Sequence, residues 1–123
     1  MEEGKLAGWG VSVETCEEAL RALDREHLSS VQIILNPFRL KPLDEVVPQA
    51  EAKGVAIIAR VLLASSLLSG KYTAQTSFAA DDHRAFNRAG EAFDHGETFS
   101  AVDLNLGLEA VARLEESLGG RCR

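Results

Sequence analysis

The chain is 123 residues long, the length of one modest domain, and its 46% hydrophobic and 26% charged residues match a soluble globular protein rather than a disordered segment. Nineteen acidic residues against thirteen basic ones leave a formal net charge of −6, a field that repels phosphate backbones and anionic lipid, so no nucleic acid and no membrane is expected as a partner. The longest apolar stretch, Val55 to Leu68, is broken by Arg60 and two serines and falls short of a membrane helix of roughly 20 residues; with an acidic start lacking the basic flank of a secretory signal, the expected location is cytoplasmic.

The first element is a short strand, Gly10-Val11-Ser12-Val13. Thr15 followed three residues later by Glu18 reads as a capping box, in which the hydroxyl accepts from the Glu18 amide while the carboxylate reaches back to the Thr15 amide. Ala19, Leu20 and Leu23 then form the inward stripe of a helix, and His27 beyond it is placed to meet the last-turn carbonyls. Val31 to Leu35 and Val55 to Val61 are nearly continuous apolar runs, as in strands covered on both faces. A helix over 46–53 lies between them, its start limited by Pro48 and its end marked by Gly54. Strand starts at Val11, Val31 and Val55 have the spacing of compact β/α units, which predicts a parallel sheet with right-handed crossovers. From Ser65 to Phe99 the period fails, and the stretch reads as a long loop. Ser100 to Asp103 resembles a second capping box. Leu104, Leu108, Val111, Leu114 and Leu118 follow as a helical stripe, ended by Gly119-Gly120.

Few side chains carry chemistry by spacing alone. Cys16 and Cys122 have no CxxC partner, and incidental thiols are preferred to a disulfide between them. His83 with Asp81 and Asp82, or His95 with Asp94 and Glu97, fits no compact ligand set, so a solvated charged loop is preferred and no metal is expected. Glu17-Glu18 and Asp44-Glu45 sit at helix starts, where the dipole favours negative charge, which explains them better than a glycosidase-like carboxylate pair.

Three segments in order, GVSV, VQIILNPF and KGVAIIARVLLASSLLSGKYT, resemble the aldo/keto reductases, whose strand ends carry GVS, VQxxYN and KGxxxxxxxPLASGLLSGKY. The resemblance extends over nearly the whole chain. It implies α/β architecture: a partial (β/α)8 TIM barrel, or half-barrel, with parallel strands and a C-terminal helix. The matched segments correspond to the fifth, sixth and seventh barrel strands. One partial domain over 1–123 is expected, with β/α units over 1–60, a long cofactor-side loop over 61–100 and a helix over 101–118. A barrel of this kind takes about 250 residues, so the resemblance implies a truncated form without the N-terminal half. The family's catalytic Tyr, Lys, Asp and His belong to that half, and no catalytic residue is assigned here. Tyr72 and Lys71 belong to the GKY motif instead.

What the resemblance does carry over is a cradle for NADP(H) or NAD(H), expected to bind weakly. Ser12 and Gln32 match residues that hold the nicotinamide carboxamide, a planar amide with one acceptor and two donors. Arg60 stands where many members place an aromatic ring against the nicotinamide, and a guanidinium can also stack. Leu63, Ser65, Ser69 and Lys71 match the loop that wraps the pyrophosphate. Ordinary strand-end polarity for Ser12, Gln32 and Arg60, and a solvated loop lysine at 71, remain the alternatives. The chain departs from the pattern at Val13, where asparagine is common, at Leu35 for tyrosine, Leu62 for proline and Ser66 for glycine. If that glycine needs positive φ, Ser66 costs on the order of 1 kcal/mol.

The function implied is an NADP(H)-dependent carbonyl oxidoreductase by descent, inactive alone. The alternatives are the C-terminal part of a split or assembled oxidoreductase, and a non-catalytic interaction module. Two open sheet edges, and a barrel-interior face expected to carry Val31, Ile33, Val55 and Ile57, predict either a homodimer or association with an N-terminal half-barrel chain.

Overall fold

A computed structural model describes residues 4–119. They fall into two compact units, Met1–Arg60 and Val61–Arg123.

In the first unit β1 (Trp9–Ser12), α1 (Cys16–Leu23), β2 (Leu28–Ile34), α2 (Val46–Ala52) and β3 (Ala56–Arg60) follow one another, with a 3-10 turn at Lys41–Leu43 before α2. The strands form one parallel sheet in chain order, β1-β2-β3, as the strand spacing predicts. The Thr15 capping box forms as read: Thr15 Oγ1 accepts from Glu18 N at 3.1 Å and Glu18 Oε2 accepts from Thr15 N at 3.1 Å. Pro48 is tolerated as the third residue of α2, because the first-turn amides of a helix have no partner within it. Gly54 takes φ +68° after that helix, the left-handed cap its position predicts. The α1 C-terminus is met by a different residue from the one expected. Lys53 Nζ donates to Leu23 O at 2.9 Å and to Asp24 Oδ1 at 2.8 Å, a role assigned to His27 from sequence.

The core of this unit lies on one side of the sheet. Ala19 and Leu23 of α1, Val46 and Ala50 of α2, and Leu28, Val31, Ile33 and Val55 form one buried cluster, with Val11 and Ile57 packed against it. This corrects the expectation that Val31, Ile33, Val55 and Ile57 line a barrel interior. They face the helices. Alternation then puts Gly10, Ser12, Ser30, Gln32, Ile34, Ala56, Ile58 and Arg60 on the opposite face. The apolar runs conceal this choice, whereas Ser12, Ser30, Gln32 and Arg60, all at even positions, point to it, with Ser29 at the start of β2 the exception.

Along the stretch read as a long loop the second unit carries only single turns, 3-10 turns at Leu67–Ser69, His95–Glu97 and Phe99–Ala101 and one helical turn, α3 (His83–Phe86). Aromatic packing holds them. Tyr72, Phe78 and Phe99 meet with ring centroids 5.2 to 6.4 Å apart, and the guanidinium groups of Arg84 and Arg88 lie over Phe78 at 4.7 and 5.7 Å. Asn87, fully buried, accepts from the amides of Ala92 and Phe93 at 2.8 and 2.9 Å and donates to Thr98 Oγ1 at 3.3 Å.

The last helix, α4 (Leu104–Ser117), is capped by Asp103, whose carboxylate accepts from the amides of Asn105 and Leu106. The capping box expected at Ser100 does not form, because Ser100 itself is left-handed, at φ 57° and ψ 33°. Leu104 and Val111 are buried, whereas Leu118 is exposed, so the apolar stripe ends before the helix does.

Candidate functional site

In a parallel sheet all strands end at the same edge, and side chains displayed there belong to different β/α units. Ser12 is the last residue of β1, Arg60 the last of β3, and Gln32 lies two residues before the end of β2. Register pairs Ser12 with Gln32, Gln32 with Ile58, and Ile34 with Arg60. All three site residues therefore share the face away from α1 and α2, at its C-terminal edge. Of the seven predicted site residues, the first unit thus brings together Ser12, Gln32 and Arg60.

Arg60 is anchored across the sheet. Its Nη2 donates to Glu14 Oε1 at 2.6 Å and reaches Val13 O at 3.3 Å, spanning from β3 past β2 to the residues after β1, strands roughly 10 Å apart. Glu14 has a second anchor in its backbone, whose amide donates to Glu18 Oε2 at 3.0 Å. Bonds from the Glu14 and Thr15 amides hold the Glu18 carboxyl below its ordinary range. Glu14 Oε2 is shielded from solvent without a hydrogen-bond partner among the described residues. Sequence reasoning missed Glu14, which reads as one more solvated acid before a helix cap. The available signal was its position: the second residue past a strand end, two strands from an arginine of the same sheet edge.

Leu63, Ser65, Ser69 and Lys71 lie on the turn that opens the second unit. Ala64, Ser65 and Ser66 all have positive φ, at 47°, 55° and 69°, and Ser66 sits squarely in the left-handed region with ψ 8°. Backbone bonds from Ala64, Leu67, Leu68, Ser69 and Gly70 close the turn. Among the described residues the amides of Leu63, Ser65, Ser66 and Lys71 donate to no backbone carbonyl. The serine hydroxyls are otherwise employed. Ser65 Oγ donates to Glu97 O at 2.7 Å and accepts from Phe99 N at 3.2 Å, while Ser69 Oγ donates to Ser66 O at 2.6 Å. Each hydroxyl has one proton, and both are already spent, that of Ser65 on Glu97 O and that of Ser69 within the turn. Leu63 and Lys71 are exposed.

Tyr72 is tied into the same unit: its hydroxyl donates to Ser65 O at 3.3 Å and accepts from Arg84 Nη1. Arg84 in turn pairs with Asp82, which caps α3 through the Arg84 amide. Bonds from the Arg84 side chain and amide hold the Asp82 carboxyl well below its ordinary value of 3.8. Cys16 is a free, half-buried thiol, and Cys122 lies outside the described residues. No cluster of three or more His, Cys, Asp or Glu able to hold a metal ion occurs among the described residues, and no helix among them is long and apolar enough to cross a membrane.

The model of the aldo/keto reductase family matches residues 1–118. The chain belongs to the aldo/keto reductase family. No curated protein matches it. Membership makes the three parallel strands with their flanking helices part of a TIM barrel, and the face carrying Gly10, Ser12, Ser30 and Gln32 the one turned toward the barrel axis.

The residues of that face fit a nicotinamide amide. No hydrogen bond among the described residues engages Ser12 Oγ or the Gln32 carboxamide, so a hydroxyl and a primary amide remain free to pair with one. The turn over 61–71 fits an anion less fully. Its free backbone amides and the Lys71 ammonium suit phosphate, while the hydroxyls of Ser65 and Ser69 are already committed as donors.

Proposed function

We propose that this chain supplies the cofactor-contacting part of an NADP(H)- or NAD(H)-dependent carbonyl oxidoreductase site, with the proton donor coming from a partner. The observation carrying this reading is the alignment of Ser12, Gln32 and Arg60 on one face of the sheet's C-terminal edge, the first two with uncommitted polar groups. A bound nicotinamide supplies the hydride. Ser12 and Gln32 fix the carboxamide by accepting from its nitrogen and donating to its oxygen. In the second unit, taken by itself, the backbone amides of Leu63, Ser65 and Ser66 and the Lys71 ammonium form a set that suits a phosphate group.

Reduction of a carbonyl also needs an acid, and a well-placed one contributes about 10²- to 10⁴-fold. The one tyrosine of the chain, Tyr72, is bound to Ser65 O and Arg84 within the second unit. The partner we propose is an N-terminal half-barrel chain, since a second copy would bring only the same committed Tyr72. One observation supports association: β1 and β3 are the edge strands of the three-stranded sheet, and an edge strand is a template for pairing with another chain.

Titration of the purified chain with NADPH, followed by fluorescence, is expected to give a dissociation constant no tighter than about 0.1 mM, roughly −5.5 kcal/mol, with no oxidation of NADPH by generic aldehydes above background. A sub-micromolar constant, or turnover abolished by Tyr72→Phe, would overturn the reading.

A further inference from the structure

Arg88 is held in place with its terminal donors unused. Its Nε donates to Arg84 O at 2.6 Å, and its guanidinium carbon lies 5.7 and 5.4 Å from the ring centres of Phe78 and Phe99. Neither terminal nitrogen has an acceptor among the described residues. A guanidinium fixed in this way suits an oxyanion, because little further ordering is needed when one binds.

Arg88 lines a cavity of about 380 Å3 together with His95, Phe99, Asp103 and Leu104. The His95 side chain makes no hydrogen bond among the described residues, so an imidazole N–H is available. Leu104 opens the 14-residue helix α4, and its amide donates to no backbone carbonyl, as expected of a first-turn amide. The acids nearby are engaged elsewhere. The Asp103 carboxylate accepts from the Asn105 and Leu106 amides at 2.9 and 3.3 Å, and Glu91, which acts on His95 through space, accepts from the Ala89 amide at 2.8 Å. We propose that this cavity binds a small organic phosphate. A phosphate monoester has three terminal oxygens for donors on three separate segments, where a carboxylate has two. The volume is that of a small-molecule site and exceeds what inorganic phosphate fills, with Phe99 and Leu104 as apolar lining. The site uses none of the residues of the turn over 61–71, so it does not depend on the cofactor reading.

The test titrates the full chain with inorganic phosphate and with phenyl phosphate at constant ionic strength, following the His95 ring and Leu104 amide signals by NMR. Saturable shifts are expected, with a dissociation constant on the order of 1 mM for inorganic phosphate and about tenfold tighter binding of phenyl phosphate. Arg88→Gln should weaken both about tenfold, and Arg88→Lys, which keeps the charge and loses the fork, should fall in between. Thermal melting checks each variant, because Arg88 also packs on Phe78 and Phe99. Where Arg88→Gln fails to fold, His95→Gln decides: His95 is exposed, and its loss should weaken binding several-fold as read at the Leu104 amide. Unchanged affinity in these variants, or no saturable shift up to about 50 mM phosphate, overturns the proposal. So does a loss caused by Lys71→Gln alone, which would put the anion on the turn over 61–71.

Discussion

At φ 69° and ψ 8°, Ser66 occupies backbone space that glycine enters freely and a side chain enters at a cost of about 1 kcal/mol or more. Replacing it by glycine removes that strain but loosens the unfolded chain by some 0.4 to 1 kcal/mol. The strain should win narrowly. Ser66→Gly is expected to stabilise by about 0.5 kcal/mol in urea titrations, and Ser66→Val to destabilise by more than 1 kcal/mol, because a β-branched residue tolerates positive φ worst. A destabilised glycine variant would refute the left-handed turn. This position was legible from the family pattern, which places glycine there. Asn87 was not. Its contacts with Ala92, Phe93 and Thr98 close a knot inside a stretch with no periodicity, and nothing local distinguishes a fully buried asparagine from the exposed turn residues around it. Ser65 shows a third case: its site role was inferred from a motif, while its hydroxyl hydrogen-bonds Glu97 and Phe99.

Among the elements, α4 carries a glycine where its own propensity would prefer alanine. A Cβ built on Gly107 would lie 2.5 Å from Leu67 Cδ2, and Leu67 is fully buried, so the helix and the 3-10 turn at Leu67–Ser69 meet through the missing side chain. Gly107→Ala gains up to about 1 kcal/mol of helix propensity and loses about 1 to 3 kcal/mol to overpacking. A net loss near 1 kcal/mol is expected by chemical denaturation. Introduced into Leu67→Ala, where the opposing methyls are gone, the same change should instead stabilise. Equal effects in the two backgrounds would show that the close approach is absent. Strands, α1 and the Gly54 cap followed from spacing and capping rules because their determinants are local. The Asp103 cap and the aromatic cluster did not, since Tyr72, Phe78 and Phe99 come together from irregular intervals and Ser100 is diverted by its own left-handed backbone.

For the whole molecule, the direction in which the sheet faces changes the argument for association. Val31, Ile33 and Val55 are already buried against helices, so no large apolar loss drives two copies together. The opposite face presents small or polar residues at Gly10, Ser12, Ser30, Gln32 and Ala56, with Ile58, 47% exposed, as its one large exposed apolar side chain. Pairing must come mainly from the backbone edges of β1 and β3, at about 1 kcal/mol net per hydrogen bond. Self-association should therefore be weak. Sedimentation is expected to show a monomer–dimer equilibrium that shifts over micromolar to millimolar concentration, and a strictly monomeric chain across that range would remove the edge argument. Strand order has a separate consequence, for the time course of folding. Val11 pairs with Val31 and Val31 with Ile57, so each pairing closes a loop of roughly 20 to 26 residues and neither waits for a distant segment. A sheet laid down in the order it is synthesised can assemble progressively as the chain emerges from the ribosome, each β/α unit docking on the one before it.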